Sequence, residues 1–163
     1  MREDFQFPLP GRARIAVIDA DFRAASGMKM FRFGEDAALR AYAPDAIALP
    51  LDSALALASR KPPGLKRAIV VFTNFTEAPL SQHYRDFLWK AYGLPIFEQL
   101  RDEYGRVIAR ECEVHDGLHF DPILLPTVED IAEVNRSVCE CGNETPRLHR
   151  RLVPETRAAA AAA

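Results

Sequence analysis

Up to Leu100, the apolar positions alternate between short continuous runs and longer segments with helical spacing. Four runs rich in aliphatic residues predict buried strands: Arg14–Ala20, Ala46–Leu49, Lys66–Asn74 and Pro95–Leu100. Three segments between these runs predict helices: Glu35–Tyr42, a segment from Asp52, and Ser81–Tyr92. Strands that alternate with helices indicate an α/β domain with a mainly parallel sheet flanked by helices.

Local signals mark the ends of the predicted helices. Asp52 or Ser53 is the expected N-cap of the second helix, because a short polar side chain can accept a hydrogen bond from the first turn. Gly93 is expected to close the third helix, since glycine readily adopts the left-handed conformation at a helix end. Four apolar residues of that helix recur at helical spacing and are expected to face the sheet: Tyr84, Phe87, Leu88 and Ala91.

After the last of these strands, the pattern changes to the alternation of an antiparallel hairpin. The dipeptide Asp116-Gly117 is the strongest short turn signal in the chain and predicts a two-residue turn. Successive side chains of a strand point to opposite faces, so Cys112 and His119 would then share one face of the hairpin. His115 would point to the other face.

A predicted helix at Thr127–Arg136 leads to the segment "CECG", which supplies two more thiols, Cys139 and Cys141. Together with Cys112 and His119 they form a three-cysteine, one-histidine set of the kind that binds tetrahedral zinc. Four protein ligands leave no open coordination position, so such an ion would be structural. It would join the C-terminal segment to the hairpin and contribute its binding energy to folding.

Other interpretations of these side chains are open at this point. The cysteines can be small buried hydrophobic residues, and the histidines can be surface residues. Cys139 and Cys141 can also form a strained redox disulfide. The acidic Glu140 and Glu144 beside them disfavour the thiolates that redox chemistry uses. His149 is a competing metal ligand, but the arginines around it disfavour a second cationic centre.

Length and charge narrow the classes of protein. The 163 residues suffice for one domain, expected at 1–157, with the zinc region at 106–150 and an alanine tail at 158–163. A formal net charge of −2 gives no sign of a nucleic acid or an anionic membrane as partner. The sequence has no apolar run of membrane-span length and no signal-peptide pattern, so we expect a cytoplasmic protein with reduced thiols.

Four segments carry a resemblance to a known family: "AIALPLDSALALA", "TNFTEAPLS", "ARECEVHDGLHF" and "CECGNETPRL". Over residues 46–150, their order and approximate spacing resemble motifs of the phenylacetate–CoA ligase branch of the adenylate-forming (AMP-binding) enzymes. The resemblance implies the α/β fold of that family. Some members of the family hold a structural zinc between the hairpin and the C-x-C loop, so the resemblance also implies Zn²⁺ at Cys112, His119, Cys139 and Cys141.

The chain departs from the family where the chemistry takes place. The family's "YGxTE"-like motif contacts adenine, phosphate and magnesium through a tyrosine, a hydroxyl residue and a glutamate, and these positions correspond to Glu98, Arg101 and Asp102. Only Asp102 keeps comparable chemistry, and the family's Ser/Thr/Gly-rich phosphate loop has no counterpart. The sequence "AYGLP" at Ala91–Pro95 does not replace the motif, because Gly93 is expected to end a helix. We further expect the mobile C-terminal domain with its catalytic lysine to be missing, so that the chain is a truncated, degenerate member without independent ATP-dependent ligase activity.

Two functional hypotheses follow. The first is a noncatalytic, zinc-stabilised remnant of an adenylating domain that acts as a small subunit or interaction module, with a protein partner or a second copy of itself. The alternative is a small enzyme or ligand-binding protein that uses the remaining acyl, adenylate or CoA cleft. Its candidate cofactor-binding residues follow strand ends, where open α/β sheets bind ligands: Asn74, Thr76, Glu77, Arg101 and Asp102. A self-sufficient domain without a specific ligand is the simplest competing hypothesis.

Overall fold

A nine-stranded sheet runs through the chain in the computed structural model, which describes residues 5–23, 25–130 and 132–150. In chain order the strands are β1 (Ile15–Ile18), β2 (Met28–Phe31), β3 (Ala46–Pro50), β4 (Ala68–Asn74), β5 (Ile96–Arg101), β6 (Val107–Glu111), β7 (Leu118–Phe120), β8 (Ala132–Asn135) and β9 (Arg147–Arg150). The expected alanine tail at 158–163 lies outside the described residues.

The described residues also form four α-helices: α1 (Asp36–Tyr42), α2 (Leu51–Leu57), α3 (Gln82–Tyr92) and α4 (Leu125–Val128). A short 3-10 turn follows α2 at Ala58–Arg60, and another precedes α4 at Pro122–Leu124. Within the described ranges, even the longest helix has only 11 residues, and none is long and apolar enough to cross a bilayer.

The sheet has a parallel half and an antiparallel half. Its strand order is β2-β1-β3-β4-β5-β6-β7-β9-β8; the strands from β2 to β5 pair in parallel, and those from β5 to β8 pair antiparallel. The α/β class is confirmed, but the expectation of a mainly parallel sheet is wrong. The change of direction follows from the short turn after β5, since a parallel partner needs a crossover of about a dozen residues or more. The hairpin expected as an appendage is therefore part of the same sheet.

Strand β4 shows why its sequence is a continuous apolar run. Ile69 and Val71 belong to a core that also contains the buried residues of α1, α2 and α3. Val70 and Phe72 belong to a second core, which includes Phe5 from the N-terminal segment. Both faces of this central strand are buried, which explains the apolar run from Ala68 to Phe72. The three helices pack in one core, and the N-terminal segment covers the other.

Helix α3 begins and ends where the local signals place it, but only part of its predicted apolar face is buried. The Ser81 hydroxyl accepts a hydrogen bond from the Tyr84 N–H at 3.4 Å, and Gly93 closes the helix at φ +68°. Leu88 is fully buried, whereas Phe87 is 47% and Tyr84 is 38% exposed. The expectation that Phe87 and Tyr84 face the sheet is therefore wrong, because the contact with the sheet is narrower than the apolar stripe.

The N-terminus of α2 differs from the prediction. The helix begins at Leu51, directly after β3, so neither Asp52 nor Ser53 is its N-cap. The Ser53 hydroxyl instead donates to Asp19 Oδ2 at 3.2 Å, directly after β1. Ser53 thus binds a residue that is distant in the sequence, although the local pattern assigned its side chain to a helix cap.

The helix predicted at Thr127–Arg136 is wrong. The chain there forms the single turn of α4 and then enters β8, which pairs with β9 over four residue pairs. Neither β9 nor the edge strand β2 stands out in the sequence pattern. Such short strands are stabilised by the partners they pair with and bury against, and a local pattern does not contain those partners.

The two faces of α3 should respond differently to truncation. We expect Leu88→Ala to lower the free energy of unfolding by about 2–5 kcal/mol, because it leaves a cavity in the core under the helix. Phe87→Ala is the matched control and should cost about 1 kcal/mol or less, since this side chain is half exposed. Chemical denaturation of both variants measures the difference. Equal losses would contradict the orientation of α3.

Candidate metal centre and ligand cleft

Four side chains from the antiparallel half converge on one point. The ligand atoms of Cys112, His119, Cys139 and Cys141 all lie within 4.8 Å of one another. Cys112 Sγ is 3.8 Å from Cys139 Sγ, and Cys141 Sγ is 3.5 Å from His119 Nε2. A tetrahedron with zinc–sulfur bonds of about 2.3 Å and a zinc–nitrogen bond of about 2.0 Å has edges of about 3.8 Å and 3.5 Å. Two of the six distances between the ligand atoms thus have the lengths of tetrahedron edges, and this donor set could hold a tetrahedral divalent ion.

The hairpin brings Cys112 and His119 together by a register that differs from the expected one. A two-residue turn would place Val114 opposite His119, but Arg110 occupies that position, a shift of four residues, and the loop spans residues 112–117. Because the shift is even, Cys112 and His119 still share a face. His115 lies in the loop at φ +57°, where its ring stacks on Phe97. The predicted two-residue turn is wrong, but this error does not change which of the two histidines shares a face with Cys112.

The orientation of the His119 ring leaves the nitrogen near Cys141 free to bind a cation. Its Nδ1 lies 3.2 Å from the Thr145 carbonyl oxygen and 3.1 Å from the Thr145 hydroxyl. A carbonyl oxygen can only accept, so Nδ1 carries the proton and Nε2 carries the lone pair. Burial lowers the pKa of His119, which favours the neutral imidazole that metals bind. A hydrogen bond from the other ring nitrogen is the usual support of a metal-binding histidine.

The C-x-C loop is folded by its own backbone. The Gly142 N–H donates to the Cys139 carbonyl at 2.9 Å, and Gly142 itself has φ +84°, which a residue with a side chain rarely adopts. The Asn143 N–H points at Cys141 Sγ at 3.4 Å. Asn143 Oδ1 then accepts from the Thr145 N–H at 2.9 Å. These contacts hold both thiols and the partner of His119 in one compact loop.

The thiols of the cluster differ in acidity. Burial raises the pKa of Cys112 to about 11, and its contacts with the other two thiols act in the same direction. Burial also acts to raise the pKa of Cys139. The Cys141 backbone N–H, the neighbouring thiols and the positive charge of Arg147 outweigh it, and the net pKa of Cys139 is lowered. Negative charge is thus more favourable at Cys139 than at Cys112, and a divalent cation would displace the remaining thiol protons.

Arg147 is a residue of this region that the sequence pattern did not identify. It is 3% exposed, and it lies opposite His119 in the pairing of β7 with β9. Its guanidinium donates to the Asp116 carboxylate and, at 3.1 Å, to the Asp116 carbonyl oxygen. On its other side it donates to the Ser137 hydroxyl at 2.9 Å. Arg147 thereby joins the hairpin loop to the segment that carries the two C-terminal thiols.

A second unforeseen group is a buried ion network around Glu98. Arg85 on α3 lies 3.4 Å from Glu98 Oε2 and 3.0 Å from Glu111 Oε2. Arg150 on β9 lies 3.4 Å from Glu98 Oε1, and the Thr73 hydroxyl donates to the same oxygen at 2.7 Å. The network lies beside an open cleft of about 670 Å³. Its members are far apart in sequence, so only the folded sheet reveals the pairing.

Four of the five candidate cofactor-binding residues line one cleft of about 860 Å³ at the carboxyl ends of β4 and β5: Asn74, Thr76, Arg101 and Asp102. Glu77 is not part of its wall, and its carbonyl oxygen accepts a hydrogen bond from Arg150 at 2.6 Å. The carboxyl ends of parallel strands are the usual ligand-binding edge of an open α/β sheet. The cleft is thus in the expected place, without Glu77.

Asp102, which was expected to keep the chemistry of the family's motif, is engaged in a turn. Its Oδ1 accepts from the Tyr104 and Arg106 N–H groups, both at 2.9 Å. Its Oδ2 lies 2.6 Å from the Arg106 side chain. These bonds close the connection between β5 and β6. A carboxylate with both oxygens occupied in this way has little capacity left for a metal ion.

Comparison with known proteins supports the fold. No protein-family model matches the sequence, and no curated protein matches it either. Among solved structures, the open conformation of 2-hydroxyisobutyryl-CoA ligase in complex with 2-HIB-AMP and CoA superposes with a TM-score of 0.57 at 15% sequence identity, covering 83% of this chain and 43% of that one. The same ligase in its thioesterification state gives a TM-score of 0.58 at 15% identity, covering 84% and 42%.

The chain thus spans less than half the length of these ligase structures. At this identity the match concerns the fold. The shared architecture is a mixed α/β sheet flanked by helices. In this chain, a cluster of cysteine and histidine ligand atoms lies in the antiparallel half.

Proposed function

We propose that the chain is a noncatalytic, zinc-stabilised module of the adenylate-forming fold, related to the phenylacetate–CoA ligase branch, which acts in the cytoplasm as a small subunit or binding module. The observation that carries the proposal is the convergence of the four ligand atoms, which all lie within 4.8 Å of one another. One sulfur–sulfur distance of 3.8 Å and one sulfur–nitrogen distance of 3.5 Å have the lengths of edges in a zinc tetrahedron. A reducing compartment keeps the three thiols available for the ion. When bound, zinc would be held by Cys112, His119, Cys139 and Cys141 and would stabilise the fold.

The ion would reinforce a junction that is weak by itself. Strand β7 has three residues and pairs with β9 over two residue pairs. The long loop between β8 and β9 contributes no strand pairing of its own. Ligands from β7, from the loop before it and from the loop before β9 would join these pieces, so the binding free energy of the ion becomes folding free energy.

The side chains at the degenerate motif support the noncatalytic part of the proposal. Glu98 stands where the family's tyrosine packs beside adenine, and it is buried in ion pairs with Arg85 and Arg150. Arg101 replaces the hydroxyl residue, and Asp102 is occupied by the turn. The groups that would contact adenine, phosphate and magnesium are thus absent or already engaged.

Exposed aromatic side chains support a role as a subunit. Helix α3 presents Trp89, which is 62% exposed, together with the half-exposed Phe87 and Tyr84. Within the described part of the chain, the outer edges of β2 and β8 have no neighbouring strand. Exposed aromatic side chains and open strand edges are the surfaces by which proteins associate. The partner is a second copy of this chain or another protein.

The second candidate function is ligand binding. The cleft formed by Asn74, Thr76, Arg101 and Asp102 favours it, because these residues come together at the ligand-binding edge of the sheet and the volume suits a small molecule. A cleft of this kind is compatible with a noncatalytic module that binds a metabolite.

Substitution of the metal ligands tests the zinc site. We expect one zinc per chain in the wild type, and Cys112→Ser, Cys139→Ser and His119→Ala should each lose the metal and several kcal/mol of stability. His115→Ala is the matched control, and it should retain zinc because His115 is held by Phe97 and Glu111 on the other side of the loop. Elemental analysis and denaturation measure both effects. A wild type without metal would refute the site, and metal loss in His115→Ala with retention in His119→Ala would refute the hairpin face.

An adenylation assay tests the noncatalytic assignment. With ATP, magnesium and a panel of acyl and aryl carboxylic acids, we expect no carboxylate-dependent release of pyrophosphate, because the positions that contact the nucleotide in the family carry Glu98 and Arg101 here. Pyrophosphate release that depends on one of the acids and disappears in Asp102→Ala would contradict the assignment. An active acyl-CoA ligase run in parallel verifies the assay.

Light scattering tests the subunit role. We expect the purified protein to form a homo-oligomer or to co-purify with a partner, and Trp89→Ser should weaken that association because it removes an exposed aromatic contact. Tyr104→Ser is the control, since Tyr104 is 74% exposed but lies at the other cleft and should leave the association unchanged. A monomer mass over a wide concentration range without any partner would contradict the role.

A further inference from the structure

Arg101 is a cation without a polar partner among the residues that the structure describes. It is the last residue of β5, and its guanidinium carbon lies 5.0 Å from the centre of the Phe72 ring. Its Nε is buried and has no hydrogen-bond acceptor among the described residues, and the side chain forms no hydrogen bond or ion pair with any of them. Stacking on Phe72 uses the face of the guanidinium and leaves the N–H edge available.

Three other buried or half-buried arginines, unlike Arg101, have acidic or carbonyl partners. Arg85 is bound by two carboxylates, Arg150 by Glu98 and two carbonyl oxygens, and Arg147 by the groups of the hairpin loop. Burying a charged donor without an acceptor is costly, so such groups are normally paired. The simplest acceptor for the Arg101 N–H groups is therefore a molecule that is not part of the described chain.

Three of the four acidic side chains that line the cleft with Arg101 are already engaged. Asp19 accepts from the Phe33 N–H at 2.9 Å and from the Ser53 hydroxyl, and Asp102 closes the turn after β5. Asp21 lies 3.7 Å from Arg32 on the surface. Burial lowers the pKa of Arg101, while the charges of nearby carboxylates act to raise it, and a guanidinium remains charged at neutral pH. The cleft thus presents a fixed positive group to an incoming ligand.

Charge and volume restrict the ligand. The cleft of about 860 Å³ has room for a small molecule, and Asn74 and Thr76 add neutral polar groups to its wall. The acidic side chains of the same wall repel a ligand with several negative charges. Arg106 is held by Asp102 and offers little additional compensation. These features favour a compact ligand with one anionic group over a nucleoside triphosphate.

We propose that Arg101 anchors a binding site for a small organic anion, whose carboxylate or phosphate group is held by the guanidinium N–H edge in the cleft at the carboxyl ends of β4 and β5. This names the ligand class for the ligand-binding candidate above and does not depend on the zinc or subunit proposals. The guanidinium fork matches the two oxygens of either anionic group.

Titration of the zinc-loaded, ¹⁵N-labelled full-length protein tests the site. The Arg101 Nε–H resonance, identified by its loss in Arg101→Gln, is followed against butyrate, inorganic phosphate and ATP at constant ionic strength. We expect a saturable shift with butyrate or phosphate, and the tighter of the two identifies the anionic group. Arg101→Gln, followed through backbone amides of the cleft, should weaken binding by about tenfold or more. Arg101→Lys keeps the charge without the fork and should bind with intermediate affinity.

Arg106→Gln is the matched control, because Arg106 borders the same cleft but is paired with Asp102. It should leave the affinity within about twofold of the wild type if Arg101 is the anchor. The absence of saturable shifts with both small anions would overturn the proposal. Equal weakening of binding in Arg106→Gln and Arg101→Gln would also overturn it. Tighter binding of ATP than of either small anion would do the same. Zinc content and molecular mass, measured on the same samples, show separately whether the proposed zinc and subunit roles fail.

Discussion

The burial of Glu98 in the middle of the sheet constrains both of its halves. A buried carboxylate is tolerated only when charged and hydrogen-bonding partners surround it. Here the partners come from α3 through Arg85, from β4 through Thr73 and from β9 through Arg150. Arg150 also binds carbonyl oxygens in the segment that follows β4. One ionised group thereby couples the parallel half, its helix and the last strand of the antiparallel half.

The antiparallel half depends on a second set of long-range contacts. Its strands are short, and their own core is smaller than the cores on the two faces of the parallel half. Arg147 and the cluster of Cys112, His119, Cys139 and Cys141 connect the hairpin to the loop before β9. A bound ion would convert these separate contacts into one cooperative unit, which is the usual advantage of a structural metal in a region with little apolar burial.

The cysteine–histidine cluster and the cleft with Arg101 lie in different parts of the fold. The cluster occupies the antiparallel half, the Glu98 network lies beneath α3, and the cleft opens at the carboxyl ends of the parallel strands. The chain shares its fold with part of an acyl-CoA ligase at 15% sequence identity. One fold can carry different chemistry, because packing needs only the pattern of apolar residues and a site needs particular groups.

The sequence by itself determined the features that arise from neighbouring residues. The apolar run of β4, the ends of α3 at Ser81 and Gly93, and the face shared by Cys112 and His119 follow from local periodicity and capping. The even register shift preserved that face although the turn was wrong. Tertiary structure alone decided β8 and β9, the roles of Arg147 and Glu98, and the lack of a polar partner for Arg101 among the described residues. Each of these depends on which distant residues the sheet brings close together, and a local sequence pattern does not contain that information.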